Sequence, residues 1–246
     1  MDHEGASTPL DERPRSVGRM FFDRVAATPD RLAYSFPVHD IWHEVSWRQT
    51  ADRVVRLAAG LISLGIEPEQ RVAIAAGTRY EWILADLAVM SAGAATTTVY
   101  PSSMASDVAY IIGDSGSRVV FAEDDLQVAK LRESRADLPD VRRVVTFDGT
   151  PDGDWVIGLD DLEQLGERLL AECPEAVQRR VDGSQPDHLA TVVYTSGTTG
   201  RPKGVRLPHS AWTYEGAAVE GLDILSGDDV QYLWLPLAHV FGKVLL

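Results

Sequence analysis

The chain of 246 residues contains a single cysteine, Cys173. An internal disulfide is therefore excluded, and with it the stapled scaffolds of small secreted domains. Cys173 sits in an acidic stretch (Leu170, Ala171, Glu172) with no basic neighbour to lower its pKa, so it reads as a structural or incidental thiol. Basic residues are also scarce: 23 Lys and Arg face 37 Asp and Glu, a formal charge of −14. Binding a nucleic-acid backbone relies on clustered Lys and Arg to displace counterions, so this balance argues against a nucleic-acid partner and leaves room only for a local basic site. A long apolar run is missing too. The one candidate, Trp82 to Tyr100, is broken by Asp86, Gly93 and Thr96 to Thr98, and its second half is β-branched. It reads as a buried helix followed by a strand, with no transmembrane segment. The first residues, MDHEGASTPLDERPRS, have neither an apolar centre nor a small-residue cleavage site, so no secretion signal is expected and the location expected is cytoplasmic. What remains is 45% hydrophobic and 24% charged, enough to build a sizeable core.

After a polar leader (1–20), Leu32 to Phe36 and Trp42 to Trp47 read as a hairpin turning at Pro37, His39 and Asp40. From Gln49 the apolar residues Val54, Leu57, Ala58, Leu61 and Ile62 fall at helical spacing, with Gly65 as the stop. Strands then alternate with helices: Val72 to Ala76, helix Tyr80 to Met90, Ala95 to Val99, helix Ser106 to Ile112, Arg118 to Ala122, helix Asp124 to Ser134, Arg143 to Phe147. That alternation predicts an α/β fold of βαβ-wound sheets flanked by helices. The Gly, Pro and Asp of 148–153 lead into an acidic helical stretch ending near Arg180, read as a surface excursion, with Val181 to Asp187 as a linker. Residues 21–186 are thus expected to form a first α/β subdomain with an N-terminal hairpin, and 187–246 the start of a second.

The chemistry concentrates where the apolar strand Leu189 to Tyr194 runs into Thr195, Ser196, Gly197, Thr198, Thr199, Gly200, Arg201, Pro202, Lys203 and Gly204, with a helix expected from His209 or Ser210. A strand, a loop dense in glycine and hydroxyls, and a helix make a phosphate-binding arrangement. Glycines turn backbone N–H groups inward, hydroxyls add donors or a magnesium ligand, and a lysine brings a mobile charge. Arg201, Lys203 and Arg206 stand together with no acid nearby in the sequence. A Walker A loop is excluded, because Lys203 lies between Pro202 and Gly204 rather than before Ser or Thr. The dinucleotide fingerprint is excluded by its glycine spacing. By composition alone, such a stretch is more often a flexible surface loop.

YTSGTTGRPKGV, Tyr194 to Val205, closely resembles without a gap the phosphate-loop motif of the adenylate-forming (AMP-binding) superfamily: acyl- and aryl-CoA synthetases, luciferases and peptide-synthetase adenylation domains. Trp42 to Leu61, Leu87 to Ser103 (LAVMSAGAATTTVYPSS) and Leu235 to Leu246 (LPLAHVFGKVLL) resemble other stretches of the superfamily in the right order. VYPSS with LPLAHVFGKV looks most like bacterial long-chain fatty acyl-CoA synthetases, and like their N-terminal part only.

The resemblance implies an acid–thiol ligase that uses ATP and Mg2+ to activate a fatty acid as acyl-AMP and then passes it to CoA. In-line attack brings two anions together, so the protein's part is positive charge and oriented donors around the triphosphate. It further implies that Thr195, Ser196, Gly197, Thr198, Thr199 and Gly200 hold phosphates, that Thr198 meets magnesium, and that Lys203 neutralises charge and steadies the loop. His239, by itself more often a core histidine satisfied by a backbone partner, is placed beside the substrate carboxylate or the pocket entrance, where an imidazole can carry charge near neutral pH. Trp234, Val240 and Phe241 are weaker acyl-pocket candidates. The other histidines show no metal grouping; His39 and His43 flank a turn without a third ligand. Small molecules (fatty acid, ATP, CoA) are the partners implied, with peripheral membrane contact left open. Family members continue beyond the apolar Val244 to Leu246, so the chain is expected to be part of a synthetase that alone catalyses neither half-reaction. Two readings compete: a nucleotide- or pyrophosphate-binding module without catalysis, and a phosphotransferase of another fold. The latter needs acidic metal ligands at strand ends, whereas Asp107, Asp114 and Asp223 read as helix caps or turn residues. Another adenylate-forming enzyme, an aryl-CoA ligase or acyl-AMP ligase, is the nearest alternative.

Overall fold

A computed structural model describes residues 12–195, 200–222 and 229–244. Helix α1 (Val17–Ala27) opens them, its first turn capped by Ser16. Strands β1 (Leu32–Val38) and β2 (Ile41–Ser46) form the expected antiparallel hairpin. Its two-residue turn puts His39 and Asp40 at φ +47° and +65°, the left-handed pair that matches the twist of a hairpin. Helix α2 (Trp47–Ser63) begins earlier than its apolar spacing suggests. Ser46 and Gln49 make a capping box: the Gln49 N–H donates to Ser46 Oγ at 3.2 Å and the Ser46 N–H donates to Gln49 Oε1 at 2.8 Å. The helix stops at Gly65, whose φ of +78° a residue with a Cβ resists.

Strand β3 (Arg71–Ala75), helix α3 (Tyr80–Ser91), β4 (Ala95–Val99), α4 (Ala105–Ser115), β5 (Val119–Ala122), α5 (Asp125–Glu133) and β6 (Arg143–Thr146) follow the predicted alternation. Then come β7 (Val156–Gly158), α6 (Leu159–Glu172), α7 (Ala176–Gly183), β8 (Leu189–Thr195), β9 (Lys203–Pro208), α8 (His209–Gly221) and the short α9 (Val240–Val244). One seven-stranded sheet runs in the order β7-β6-β5-β3-β4-β8-β9, parallel throughout except for β9. The central strands β3, β5 and β6 are buried on both faces, which is why they are mostly apolar rather than alternating, whereas the edge strand β9 is largely exposed. In β3, Val72 and Ile74 join the larger core with Leu57, Trp82 and Leu162. Ala73 and Ala75 join the opposite core with Val108, Ile112 and Leu131 of α4 and α5.

Three expectations need correction. Residues 148–180 are no surface excursion: β7 is a strand of the main sheet, and α6 lies directly on α2. The two helices cross where Gly60 meets Gly166; a Cβ on Gly166 would stand 1.8 Å from the Arg56 carbonyl oxygen. At the same crossing Glu163, despite its charge, is buried between Arg53 and Arg56, at 2.7–2.9 Å from their guanidinium nitrogens. Val181, taken for linker, is a fully buried residue of α7. The division expected at residue 187 does not separate two sheets, because β8 pairs in parallel with β4.

Candidate functional site

In an open α/β sheet, ligands collect beyond the carboxyl ends of the strands, where the chain reverses its order of strand addition. Here that reversal is at β3: the chain steps to β4 on one side and then to β5 on the other. The carboxyl edge is firmly built. The Gly77 N–H beyond β3 donates 2.9 Å to Glu123 Oε2 beyond β5. The turn after β4 is clasped from α5, where Lys130 Nζ donates to the carbonyls of Pro101 (2.6 Å) and Ser103 (2.9 Å).

The motif Tyr194 to Val205 lies at this edge but is not a strand, loop and helix. The chain returns along itself as the antiparallel β9 before α8 starts, so the loop closes a β-hairpin. Helix α8 starts at His209, nine residues past Gly200, and cannot offer the loop its N-terminal amides. What the hairpin does provide is a cross-strand pair: Thr195 sits directly opposite Lys203. Neighbouring side chains in that register share a face, so the Thr195 hydroxyl and the Lys203 ammonium stand together at the mouth of the hairpin. Alternation puts Arg206 on the other face. Among the described residues Arg201, Lys203 and Arg206 make no ion pair, and all three are exposed. Gly200 is exposed at φ +148°, a conformation reserved to glycine. Ser196, Gly197, Thr198 and Thr199 lie outside the described residues.

The expectation of no nearby acid holds along the sequence but not in space. The Tyr194 hydroxyl donates 2.6 Å to Asp114 Oδ2, so Asp114, a residue of α4's last turn, is neither cap nor turn. Asp107 does lie in the first turn of α4. Asp223 is outside the described residues.

His239 reaches the same edge by another route. Thr78, just past β3, donates from Oγ1 to the Leu235 carbonyl (2.8 Å) and accepts from the Leu237 N–H (3.2 Å). Leu237 and Ala238 are buried, and His239 emerges exposed with Nδ1 accepting from the Phe241 N–H at 3.2 Å, a backbone partner at the start of α9. Trp234 and Phe241 are exposed by 71% and 56%, so among the described residues neither lies in an enclosed pocket.

Sequence reasoning passed over one buried charge pair. Lys243 Nζ donates to Asp86 Oδ1, which also accepts from Thr96 Oγ1 at 2.6 Å. The ammonium lies 5.5 and 5.3 Å from the ring centroids of Trp82 and Trp212. Burial pulls the Lys243 pKa down, and the Asp86 carboxylate opposes this. The signal was available in Asp86 itself, since a charge inside an apolar helix demands a partner. The pair walls a cavity of about 330 Å³ lined mostly by apolar residues such as Val17, Phe21 and Trp47, with Arg24 as a further charged residue. Among the described residues, neither Thr195, Gly200 and Lys203 of the expected phosphate loop nor His239 lines it.

The family model of the AMP-binding enzyme matches residues 21–246. The chain belongs to the AMP-binding enzyme family. A long-chain-fatty-acid–CoA ligase of Mycobacterium tuberculosis, FadD15, is 33% identical over 232 residues, which are 94% of this chain and 38% of that protein. A solved Mycobacterium tuberculosis fatty acyl CoA synthetase superposes with a TM-score of 0.66 at 21% identity, over 94% of this chain and 42% of that one. The anthranilate CoA ligase AuaEII, solved with anthranoyl-AMP, superposes at 0.68 with 18% identity, over 82% of this chain and 37% of that one. The two structural likenesses are of fold. The chain therefore spans about two fifths of the length of such AMP-binding relatives.

Proposed function

We propose that the chain is the N-terminal portion of an ATP-dependent acyl-CoA ligase acting on a long-chain fatty acid, forming acyl-AMP and then the thioester of CoA. The supporting observation is the Thr195–Lys203 pair, a hydroxyl and an ammonium without an ion-pair partner among the described residues, placed opposite each other at the carboxyl edge of the sheet, within a match to the AMP-binding family that runs from residue 21 to 246. Adenylation needs cations and donors fixed before the triphosphate arrives, and a lysine on a paired β-strand loses less freedom on binding than one on a loose loop. In this reading Lys203 neutralises phosphate charge. Thr195, Ser196, Gly197, Thr198, Thr199 and Gly200 supply phosphate donors, and His239 stands near the incoming carboxylate.

For Mg2+, the described residues include no group of three His, Cys, Asp or Glu able to hold a metal. Magnesium commonly takes one or two protein oxygens and completes its shell with substrate phosphates and water, so Thr198 is the residue we assign to it, and no step is derived through the ion. Among the described residues no helix is long and apolar enough to cross a membrane; a cytoplasmic site of action with peripheral membrane contact is part of the proposal.

The test is fatty-acid-dependent exchange of pyrophosphate into ATP by the full-length ligase. Lys203→Ala should slow exchange by at least tenfold, mainly through the KM for ATP. Exchange at the unaltered rate would remove Lys203 from the site, and no exchange by the parent enzyme with any fatty acid would overturn the functional assignment.

A further inference from the structure

Both legs of the phosphate hairpin are fastened to one helix, α4. On the leading leg, the ring of Tyr194 lies across β9 at Gly204, where a Cβ would come within 3.1 Å of Tyr194 Cζ and 3.0 Å of Val192 Cγ1. Crossing there, the Tyr194 hydroxyl reaches Asp114 Oδ2 at 2.6 Å. The same ring packs edge-to-face on Tyr110, with centroids 6.4 Å apart and planes at 82°. On the returning leg, the guanidinium carbon of Arg201 stands 5.0 Å from the centroid of the Tyr110 ring. Tyr110 and Asp114 are four residues apart on α4, hence on one face of that helix, and that face meets both legs. Burial first, and the Asp114 carboxylate second, push the Tyr194 phenol up from its ordinary pKa, so it remains a hydrogen-bond donor at neutral pH.

The geometry points to Tyr110 and Asp114 as positioning residues of the phosphate hairpin: α4 fixes the spacing of its two legs, and Arg201 serves as a clasp on Tyr110 rather than as a phosphate ligand. This rests on the reading of the hairpin as a triphosphate site and adds to it what holds the site in shape. Legs already held at a fixed spacing leave less entropy to be lost when a ligand binds at the hairpin, so the clasp acts on affinity rather than on the chemical step. A cation over a ring at an exposed site is worth about 0.5–1 kcal/mol, which is about 2- to 5-fold in an equilibrium constant.

A double-mutant cycle between Tyr110 and Arg201 tests the clasp, read first by amide exchange of the β9 residues Lys203 to Arg206 in the ligand-free chain. Tyr110→Leu and Arg201→Ala should each speed exchange about 2- to 5-fold. The double variant should be no faster than either, and Tyr110→Phe, which keeps the ring face, should match the parent. In the full-length ligase the two single variants should raise the KM for ATP by the same factor with kcat changed less than twofold. Additive effects, a Tyr110→Phe variant as loose as Tyr110→Leu, or an Arg201→Ala variant with parental exchange would overturn the inference. Arg201 is exposed, so its replacement tests the clasp even where Tyr110→Leu folds poorly. Absence of ATP chemistry in the parent would sink the functional reading instead, and the clasp would still stand or fall on the amide-exchange cycle.

Discussion

Acidification should destabilise this chain through one histidine. His209 opens α8 and is 1% exposed. Its Nδ1 accepts from the Val17 N–H at 3.3 Å, tying the start of α1 to the start of α8, while Nε2 is buried without a partner among the described residues. A proton on Nδ1 would turn that acceptor into a donor facing another donor. Burial first, then the charges of Lys243 and His188, pull the His209 pKa down from 6.5 to about 4, against the weaker pull of Asp86 and Glu69. Above pH 6.5 the ring is neutral in both folded and unfolded chains and costs nothing. As pH falls from 6.5 towards 4, the unfolded chain takes up the proton and the folded one does not, so stability is lost over that window. A separation of about 2.5 pH units corresponds to about 3 kcal/mol, at most about 1.4 kcal/mol per pH unit. That is a large part of the 5–15 kcal/mol typical of a domain, about the scale expected here. The assay is urea unfolding at intervals from pH 8 to 4, with His209→Asn as the control. The Asn Oδ1 can stand in for the Nδ1 acceptor without titrating, and carboxylates elsewhere cancel in the comparison. The parent should lose about 3 kcal/mol more than the variant between pH 7 and 4. Parallel curves, or a folded-state His209 NMR titration centred near 6.5, would refute the reasoning.

Two more outcomes follow from burial and close approach. Lys243→Met leaves the Asp86 carboxylate, 2% exposed, without its cation and should cost about 3–5 kcal/mol by chemical unfolding. Adding Asp86→Asn, which still accepts from Thr96, should recover at least half of that, and a double variant as unstable as the single would show that the pair is not the cause. Gly166→Ala forces apart the α2–α6 crossing, where the added Cβ meets the Arg56 carbonyl, and should lower stability by about 1–3 kcal/mol or more. Gly113→Ala in α4, whose Cβ would meet nothing within 4 Å, should instead be neutral or stabilising by about 0.5–1 kcal/mol, and equal melting temperatures for the two variants would contradict the packing argument.

Legibility in the sequence followed how local each determinant was. β4 was read at its observed ends, Ala95–Val99, because a β-branched run between Gly93 and Pro101 has few other uses. The start of α2 was misread although its cause is also local: S-W-R-Q at 46–49 is a capping box, and the aromatic Trp47 suggested a strand instead. β7 was missed for a different reason. Three residues after a Gly, Pro and Asp cluster carry almost no period, and only pairing with β6 makes Val156 and Ile157 a strand. The acidic face of α6 misled in the same way, because Glu163 is neutralised by Arg53 and Arg56, some 110 positions earlier.

The site divides along the same line. The motif was legible because it is a contiguous string of residue types shared with the family, but its setting was not. A loop followed by a helix and a loop followed by an edge strand and then a helix differ by six residues, Lys203 to Pro208, of which Val205 and Leu207 alternate as weakly as any surface turn. That difference changes the physics of the site. On a helix N-terminus the donors would come with a macrodipole, and Lys203 would be one charge among several favourable terms. On a hairpin the sheet contributes almost no dipole, so fixed positive charge must come from side chains, and alternation leaves Lys203 beside Thr195 while sending Arg206 to the opposite face. In the proposed function, the consequence is a site that depends on one ammonium and on whatever holds the two legs apart. Nothing in the linear sequence connects Tyr110 and Asp114 to residues 194–204, because that connection exists only once β4 and β8 lie side by side and bring α4 against the hairpin.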